Sequence, residues 1–368
     1  MALFSDYKIS TLPSAAVGTV FFKYLESHGF EESSETYKWT NIGLGWMFAY
    51  HHEEAIYCFD QARIHSDNKV ASILWAMAYC NLPNYNHEAV TEVEGIYPSL
   101  PDARRFIAMA AELVDADDCD DFGANDLVKT LVNAMKIQVS IKPYPATCSD
   151  PVRVDVQSNY AKKIQSLFQY FENDSLYCSV MVESIMAQKP WSLYDQITRK
   201  PVPADDKFLG TTTAHEILAK SLEKFPDHPG LNHFAIHTYE MSMTPGVSMP
   251  SCVKLREQSI SHTFGHLWHM PSHITTQTGD WLDAVNENMR AIEEDKMISE
   301  KYSKRGENCI PAKLFYTFYR AHNVHMMVFA ANFCGRYSDS LRECESFRKE
   351  VMQLPKQDPA YMKFVKND

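Results

Sequence analysis

The amino-acid sequence predicts an all-α protein built from helical hairpins. Three observations indicate this fold class: amphipathic stretches dominate the chain, alternating runs of β-branched residues are nearly absent, and only 13 of 368 residues are glycine. Apolar stripes with a period of about 3.6 residues bury one face of a helix, and scarce glycine suits helices joined by short turns. We therefore expect no sheet of consequence.

The first hairpin is predicted at residues 36–69, which fit the 34-residue helix–turn–helix pattern called the tetratricopeptide repeat (TPR). Trp39, Gly43, Ala55, Phe59 and Ala62 occupy its repeat positions 4, 8, 20, 24 and 27. These positions take small residues where the two helices cross closely and large residues where they interlock. The pattern predicts a helix pair with its turn near His51 and His52.

Further units are predicted at residues 195–228, 229–264, 265–298 and 321–354. In the unit at 265–298, Gly279 falls at the turn, and Ala284 and Ala291 take positions 20 and 27. Residues 100–190 are helical by pattern but show no clear repeat. Because repeats stack on their neighbours, we expect one TPR-like solenoid over residues 1–368, curled around an internal site.

The predicted site is formed by histidines, seven of which fall in the 46 residues from His228 to His273. In each of three segments, 228–240, 265–274 and 321–325, histidines spaced by three, four or seven residues lie on one helical face. In repeat numbering they share positions 2, 5 and 9, which line the concave groove of such an array. The predicted metal ligands are His233, His237, His266, His269, His273, His322 and His325.

Imidazole is the commonest protein ligand for transition metals, and i, i+4 pairs such as His233 with His237 can chelate one ion. Glu240 is either a carboxylate ligand, an acceptor that orients an imidazole N–H, or the partner of a nearby cation. His322 can also support a ligand rather than bind metal. Whether His52 and His228 join the site stays open; His228 precedes Pro229, which favours a helix cap.

Composition narrows the class of protein. The net charge of −12 argues against a basic nucleic-acid-binding face, and no apolar run reaches the roughly 18 residues of a membrane span. The beginning of the chain does not resemble a secretory signal. Nine cysteines without a CxxC pair favour reduced thiols. We expect a cytoplasmic protein.

Several segments resemble a poorly characterised family of TPR-containing proteins with HPGxxHxxIHxxE and GHLxHMPSHI motifs. The matching segments here are HPGLNHFAIHTYE (228–240), GHLWHMPSHI (265–274) and AHNVH (321–325), with weaker matches at 48–62 and 182–195. Ala321 replaces the proline usual before this HN pair. The resemblance implies a TPR-like fold and a place for Glu183 near the site, but no established reaction.

The functional hypothesis is a metal-dependent oxidoreductase that acts on a small organic substrate, with O₂ as oxidant, at a mononuclear or dinuclear site. Glu240 and Glu183 are the candidate catalytic residues. A histidine-only ligand set favours copper, and an added glutamate suits non-haem iron. Two alternatives stay open: a non-catalytic TPR scaffold that binds a peptide or protein partner, and a zinc or manganese hydrolase.

Overall fold

The computed structural model describes residues 17–95, 97–116, 122–145, 147–257, 264–302 and 310–352. Within these ranges the regular elements are helices, and extended backbone pairs only in isolated bridges, Thr91 with Ser99 and Tyr194 with Pro201. The all-α prediction is confirmed. Where the sequence suggests one continuous array, the residues group into two compact units, Met1–Met243 and Thr244–Asp368.

The helices of the first unit are α1 (Thr19–Ser27), α2 (Glu35–Phe48), α3 (His52–His65), α4 (Ala71–Cys80), α5 (Leu100–Ala116), α6 (Phe122–Gln138), α7 (Pro151–Phe171), α8 (Ser175–Met186), α9 (Thr211–Lys224) and α10 (Pro229–Tyr239). Consecutive helices pack on each other along most of this series. The region 100–190, which shows no repeat in the sequence, forms four regular helices. Asp150 and Asp174 cap α7 and α8 by accepting backbone N–H groups.

The first predicted hairpin is present as α2 and α3, which pack closely on each other. A β-carbon at Gly43 would lie 2.6 Å from the Phe59 ring, so only glycine permits this crossing. Ser34 caps α2 by accepting the Tyr37 N–H. The small and large residues at the predicted repeat positions therefore meet as helix packing requires.

The second unit begins with a 3₁₀ turn at Pro245–Ser248. Its helices are α11 (Met249–Glu257), α12 (Gly265–His269), α13 (Pro271–Thr278), α14 (Trp281–Tyr302), α15 (Ile310–Phe333) and α16 (Tyr337–Met352). Gly279 ends α13 in the left-handed conformation, φ 88°. Ala284 and Ala291 are fully buried, and Ala284 packs with Met327 and Ala330 where α14 meets α15.

A TPR superhelix stays a prediction. Residues 258–263 of the unit at 229–264 and residues 353–354 of the last unit lie outside the described residues. Among the described helices, none is both long and apolar enough to cross a bilayer.

Candidate metal-binding histidines

In the second unit, His266, His269 and His273 lie along one face of helical backbone that runs through α12 into α13. Met270, between the two helices, has right-handed helical angles (φ −52°, ψ −43°). The His266 and His269 ring centroids are 5.6 Å apart, and those of His269 and His273 are 4.7 Å apart. The predicted i, i+3, i+7 stripe is therefore present in space.

Helix α15 adds His322 to this stripe. The His322 ring centroid lies 4.6 Å from that of His269 and 5.6 Å from that of His273. One nitrogen from each of the three rings lies within 4.8 Å of the other two, a grouping that can hold a metal ion. His269 and His273 are buried and His322 is half-buried.

Asn288 on α14 fixes the tautomer of His269. The Asn288 Nδ2 donates to the Ala284 carbonyl at 2.8 Å, so its Oδ1 must be the atom 2.6 Å from His269 Nδ1. Since this oxygen can only accept, His269 Nδ1 carries the proton. His269 Nε2 is then a lone pair, and it lies 2.8 Å from His273 Nε2. This is the tautomer that a metal ligand needs.

Helix α14 also supports the start of the histidine helix. A β-carbon at Gly265 would lie 2.2 Å from an Asp295 carboxyl oxygen, so only glycine lets the carboxyl approach this backbone. Burial raises the pKa of Asp295 to about 8, opposed by Arg320 and by the Asn323 amide, which donates to the carboxyl at 2.9 Å. The Tyr319 ring packs edge-on against His266, with centroids 4.7 Å apart.

In the first unit, His233 and His237 form a buried pair on α10 with ring centroids 4.8 Å apart. His233 Nδ1 lies 2.6 Å from the Phe48 carbonyl oxygen, and His237 Nδ1 lies 2.8 Å from Glu240 Oε1. Both partners are acceptors when Glu240 is ionised, so both rings carry the proton on Nδ1 and a lone pair on Nε2. Of the three roles open for Glu240, its position matches that of the acceptor that orients an imidazole.

Three aromatic side chains surround His237. Tyr85 and Trp191 lie with centroids 5.0 and 5.7 Å from the imidazole, and Tyr50 stacks over it at 6.1 Å. Tyr50 and Trp191 both have φ of 56°, the left-handed region that bulky residues avoid. Such strain is held only where surrounding contacts demand it, and it clusters at functional sites.

His228 caps α10, as the sequence favours: its Nδ1 accepts the Leu231 N–H at 3.0 Å. A nitrogen committed to the helix terminus is not available to a metal. His52 is fully buried at the start of α3, where its Nδ1 lies 3.3 Å from the Asn84 amide nitrogen. The pKa values of His51, His52 and His228 are each lowered to about 3, mainly because these side chains are buried.

Glu183 lies on α8 and is buried. Burial raises the pKa of its carboxyl to about 8, and a hydrogen bond from Tyr50 opposes this rise. Tyr50 in turn contacts His233, with ring centroids 4.7 Å apart. Glu183 is therefore linked to the histidine pair through Tyr50. Burial also raises the pKa of Glu53, on α3, to about 8.

His325 differs from the other predicted ligands because its side chain is exposed. On α15 it lies nearly opposite the buried face formed by Asn323, Val324 and Met327, and the cluster of His269, His273 and His322 does not include it. Sequence reasoning did not find Asn288, Tyr50 or the Phe48 carbonyl. No local spacing indicates them, since each acts on a histidine from another helix or a preceding turn.

Comparison with known proteins gives no relative. The chain matches no protein-family model, no curated protein and no solved structure. The resemblance to TPR-containing proteins with histidine motifs stays a prediction from the residues.

Proposed function

We propose that this protein is a metal-dependent oxidoreductase that acts on a small organic substrate with O₂ as oxidant. The observation that carries the proposal is the meeting of His269, His273 and His322, from two parts of the chain, with their nitrogens within 4.8 Å of one another. The Nδ1 proton of His269, held by Asn288, supports it further, because it leaves the lone pair on Nε2, the nitrogen that lies against His273.

The nitrogen spacing supports a site that adjusts when it binds an ion. Two nitrogens that bind one tetrahedral ion at about 2.0–2.1 Å are separated by about 3.3 Å. The 2.8 Å contact between His269 Nε2 and His273 Nε2 is shorter, as expected for a hydrogen bond between two imidazoles. A bound ion would replace this hydrogen bond, and the two rings would move apart by about half an ångström.

Three neutral imidazoles leave the ion its full positive charge and leave further coordination positions for substrate or O₂. Imidazole sets suit copper, iron and zinc, whereas magnesium, calcium and manganese prefer oxygen ligands. Copper or iron would supply the redox chemistry. The His233/His237 pair, whose Nε2 lone pairs are fixed in the same way, offers two further nitrogens in the first unit.

A second candidate function is zinc-dependent hydrolysis. Three protein ligands plus a water molecule is the arrangement typical of catalytic zinc, which lowers the pKa of that water to about 7. The set of three histidines in the second unit fits this arrangement as well as it fits copper. The identity of the metal therefore separates the two reactions.

Elemental analysis of the full chain, purified without a histidine tag from metal-supplemented cells, tests the proposal. We expect copper or iron to copurify, and to be lost in His273→Ala but not in the matched variant His325→Ala. Oxygen consumption that requires the metal would then support oxidoreductase chemistry. Zinc alone would favour the hydrolase, and protein that takes up no metal on titration would overturn both and favour a binding scaffold.

A further inference from the structure

A small polar cavity lies inside the first unit, apart from the residues proposed as metal ligands. Its walls come from α3, α4, α6, α7, α8 and the segment after α4. The polar side chains that line it are His52, Asn84, Gln138, Tyr160 and Glu183, together with Ser184 and Tyr79. The space open to the centre of a water molecule is about 20 Å³, which is enough for about one water.

Three buried polar atoms among the lining residues have no hydrogen-bond partner within the described chain: His52 Nε2, Tyr160 Oη and Glu183 Oε1. All three side chains are at least nine-tenths buried. Buried polar groups are nearly always paired with protein or with ordered water. A water molecule in the cavity can accept the Tyr160 O–H and pair with Glu183 Oε1, which would satisfy both groups.

Tyr50 also lies near Glu183, and its hydroxyl opposes the rise in the pKa of the carboxyl. The Tyr50 ring contacts His52 as well as His233, with centroids 5.8 and 4.7 Å apart. Tyr160 and Glu183 line one cavity, and a hydroxyl and a carboxyl group around one water molecule can each release a proton while they accept another.

We propose that this cavity is a hydrated proton store, in which Glu183 holds a proton and exchanges it with one bound water that also pairs with Tyr160. When Glu183 gives its proton to this water, the water passes one of its own protons on toward solvent, and the reverse steps reprotonate the carboxylate. No electron is transferred in any of these steps.

The surroundings of Glu183 favour the protonated form. The titratable groups that line the cavity or face the carboxyl are His52 from α3, Tyr160 from α7, Tyr79 from α4 and Tyr50 from the turn after α2. Burial lowers the pKa of His52 to about 3, so this ring is neutral, and burial raises the pKa of Tyr160 above its ordinary value, so this hydroxyl is neutral. Among the described residues, no cation therefore lines the cavity to hold Glu183 in its ionised form.

Infrared difference spectroscopy of the full-length protein tests the proposal without reference to any metal. A protonated carboxyl gives a C=O stretch that an ionised carboxylate lacks. We expect a band at neutral pH that disappears in Glu183→Gln, shifts in heavy water, and shifts again in Tyr160→Phe. Tyr177→Phe is the matched control, because the buried Tyr177 hydroxyl donates to the Ile164 carbonyl and does not line the cavity.

Tyr50→Phe gives a second test. Removal of a hydrogen bond that lowers the pKa of Glu183 should raise this pKa, so the band should persist to higher pH than in the wild-type protein. Glu183→Gln spectra that retain every band, or a Glu183 band unchanged by Tyr160→Phe, would overturn the proposal. If Glu183→Gln does not fold, the two tyrosine variants still decide, since each must alter a pH-dependent carboxyl band. Metal content enters none of these readouts, so the proposed function can fail separately.

Discussion

Substitution of Asn288 by leucine tests how the three-histidine cluster is prepared for a metal. In the wild-type protein the Asn288 carbonyl oxygen accepts the His269 Nδ1 proton at 2.6 Å. Leucine has the same branched shape and the same number of side-chain heavy atoms, although its methyl groups are bulkier, and it accepts nothing. His269 can then move its proton to Nε2 and donate it to His273, which blocks the nitrogen that should bind the ion.

The magnitude follows from the loss of this acceptor. Loss of a residue that orients a ligating imidazole weakens metal binding about 10–100-fold, which is about 1.4–2.7 kcal/mol of binding free energy. A buried imidazole N–H left without an acceptor also lowers the free energy of unfolding by about 1–3 kcal/mol. The affinity for the metal should therefore fall. The free energy of unfolding of the metal-free protein should fall as well.

The control is Asn81→Leu in the first unit, where the bonding pattern is the same. The Asn81 amide donates to the carbonyl four residues earlier, at 3.0 Å, and its oxygen accepts a buried N–H from Ser99. This variant should lose similar stability without any change in metal affinity. Affinity measured by competition with a chelator decides: wild-type affinity in Asn288→Leu, or an equal loss in Asn81→Leu, would refute the reasoning.

Three further predictions concern metal content, packing and acid stability. His322→Ala should remove most of the bound metal, whereas His325→Ala, on the same helix but exposed, should retain it. Equal metal content of the two variants by elemental analysis would contradict a metal site at His269, His273 and His322. Gly43→Ala places a methyl group 2.6 Å from the Phe59 ring and should cost about 1–3 kcal/mol in urea unfolding, whereas Gly123→Ala, with nothing within 4 Å, should cost nothing. The three buried histidines with pKa near 3 gain protons on unfolding below pH 6.5, so stability rises with pH up to 6.5. The three buried carboxyls with pKa near 8 lose protons on unfolding above their ordinary pKa values, so stability falls with pH up to 8. The unfolding midpoint should therefore peak between about pH 4.5 and 6.5, and a midpoint that climbs steadily from pH 5 to 8 would contradict this balance.

The helical fold could be predicted because its signal is local. Amphipathic periodicity can be read within a few turns of helix, and the left-handed turn at Gly279 depends on one residue. The scarcity of glycine can be read from the composition. The division into two units is not local, since it depends on which helices pack together over long distances in sequence. The predicted repeat pattern continues across residues 229–264. It therefore does not predict that one compact unit ends at Met243 and the next begins at Thr244.

The histidine faces could be predicted from spacing, but the rotation of each helix could not. His322 and His325 are equivalent in a pattern of i, i+3, and the sequence treats both as ligands. Which one meets the cluster depends on where the other histidine helix packs against α15, and that position is set by contacts distant in sequence. Both histidines lie far around the helix from its buried face. His322 is half-buried because the rings of His269 and His273 pack against it, whereas His325 is exposed.

The strongest argument for a metal comes from atoms that the sequence pattern does not contain. His233, His237 and His269 stand on two different helices, and each meets a different acceptor at Nδ1: a backbone carbonyl, a carboxylate and an amide oxygen. Histidines that serve only to fill a core need no common tautomer, and His228 shows the opposite state, with Nδ1 as the acceptor of a cap. Three unrelated partners therefore impose one protonation state, with the lone pair on Nε2 in each ring. The same state is what a metal ligand requires, which is why Asn288, rather than any histidine, is the most informative residue to change first.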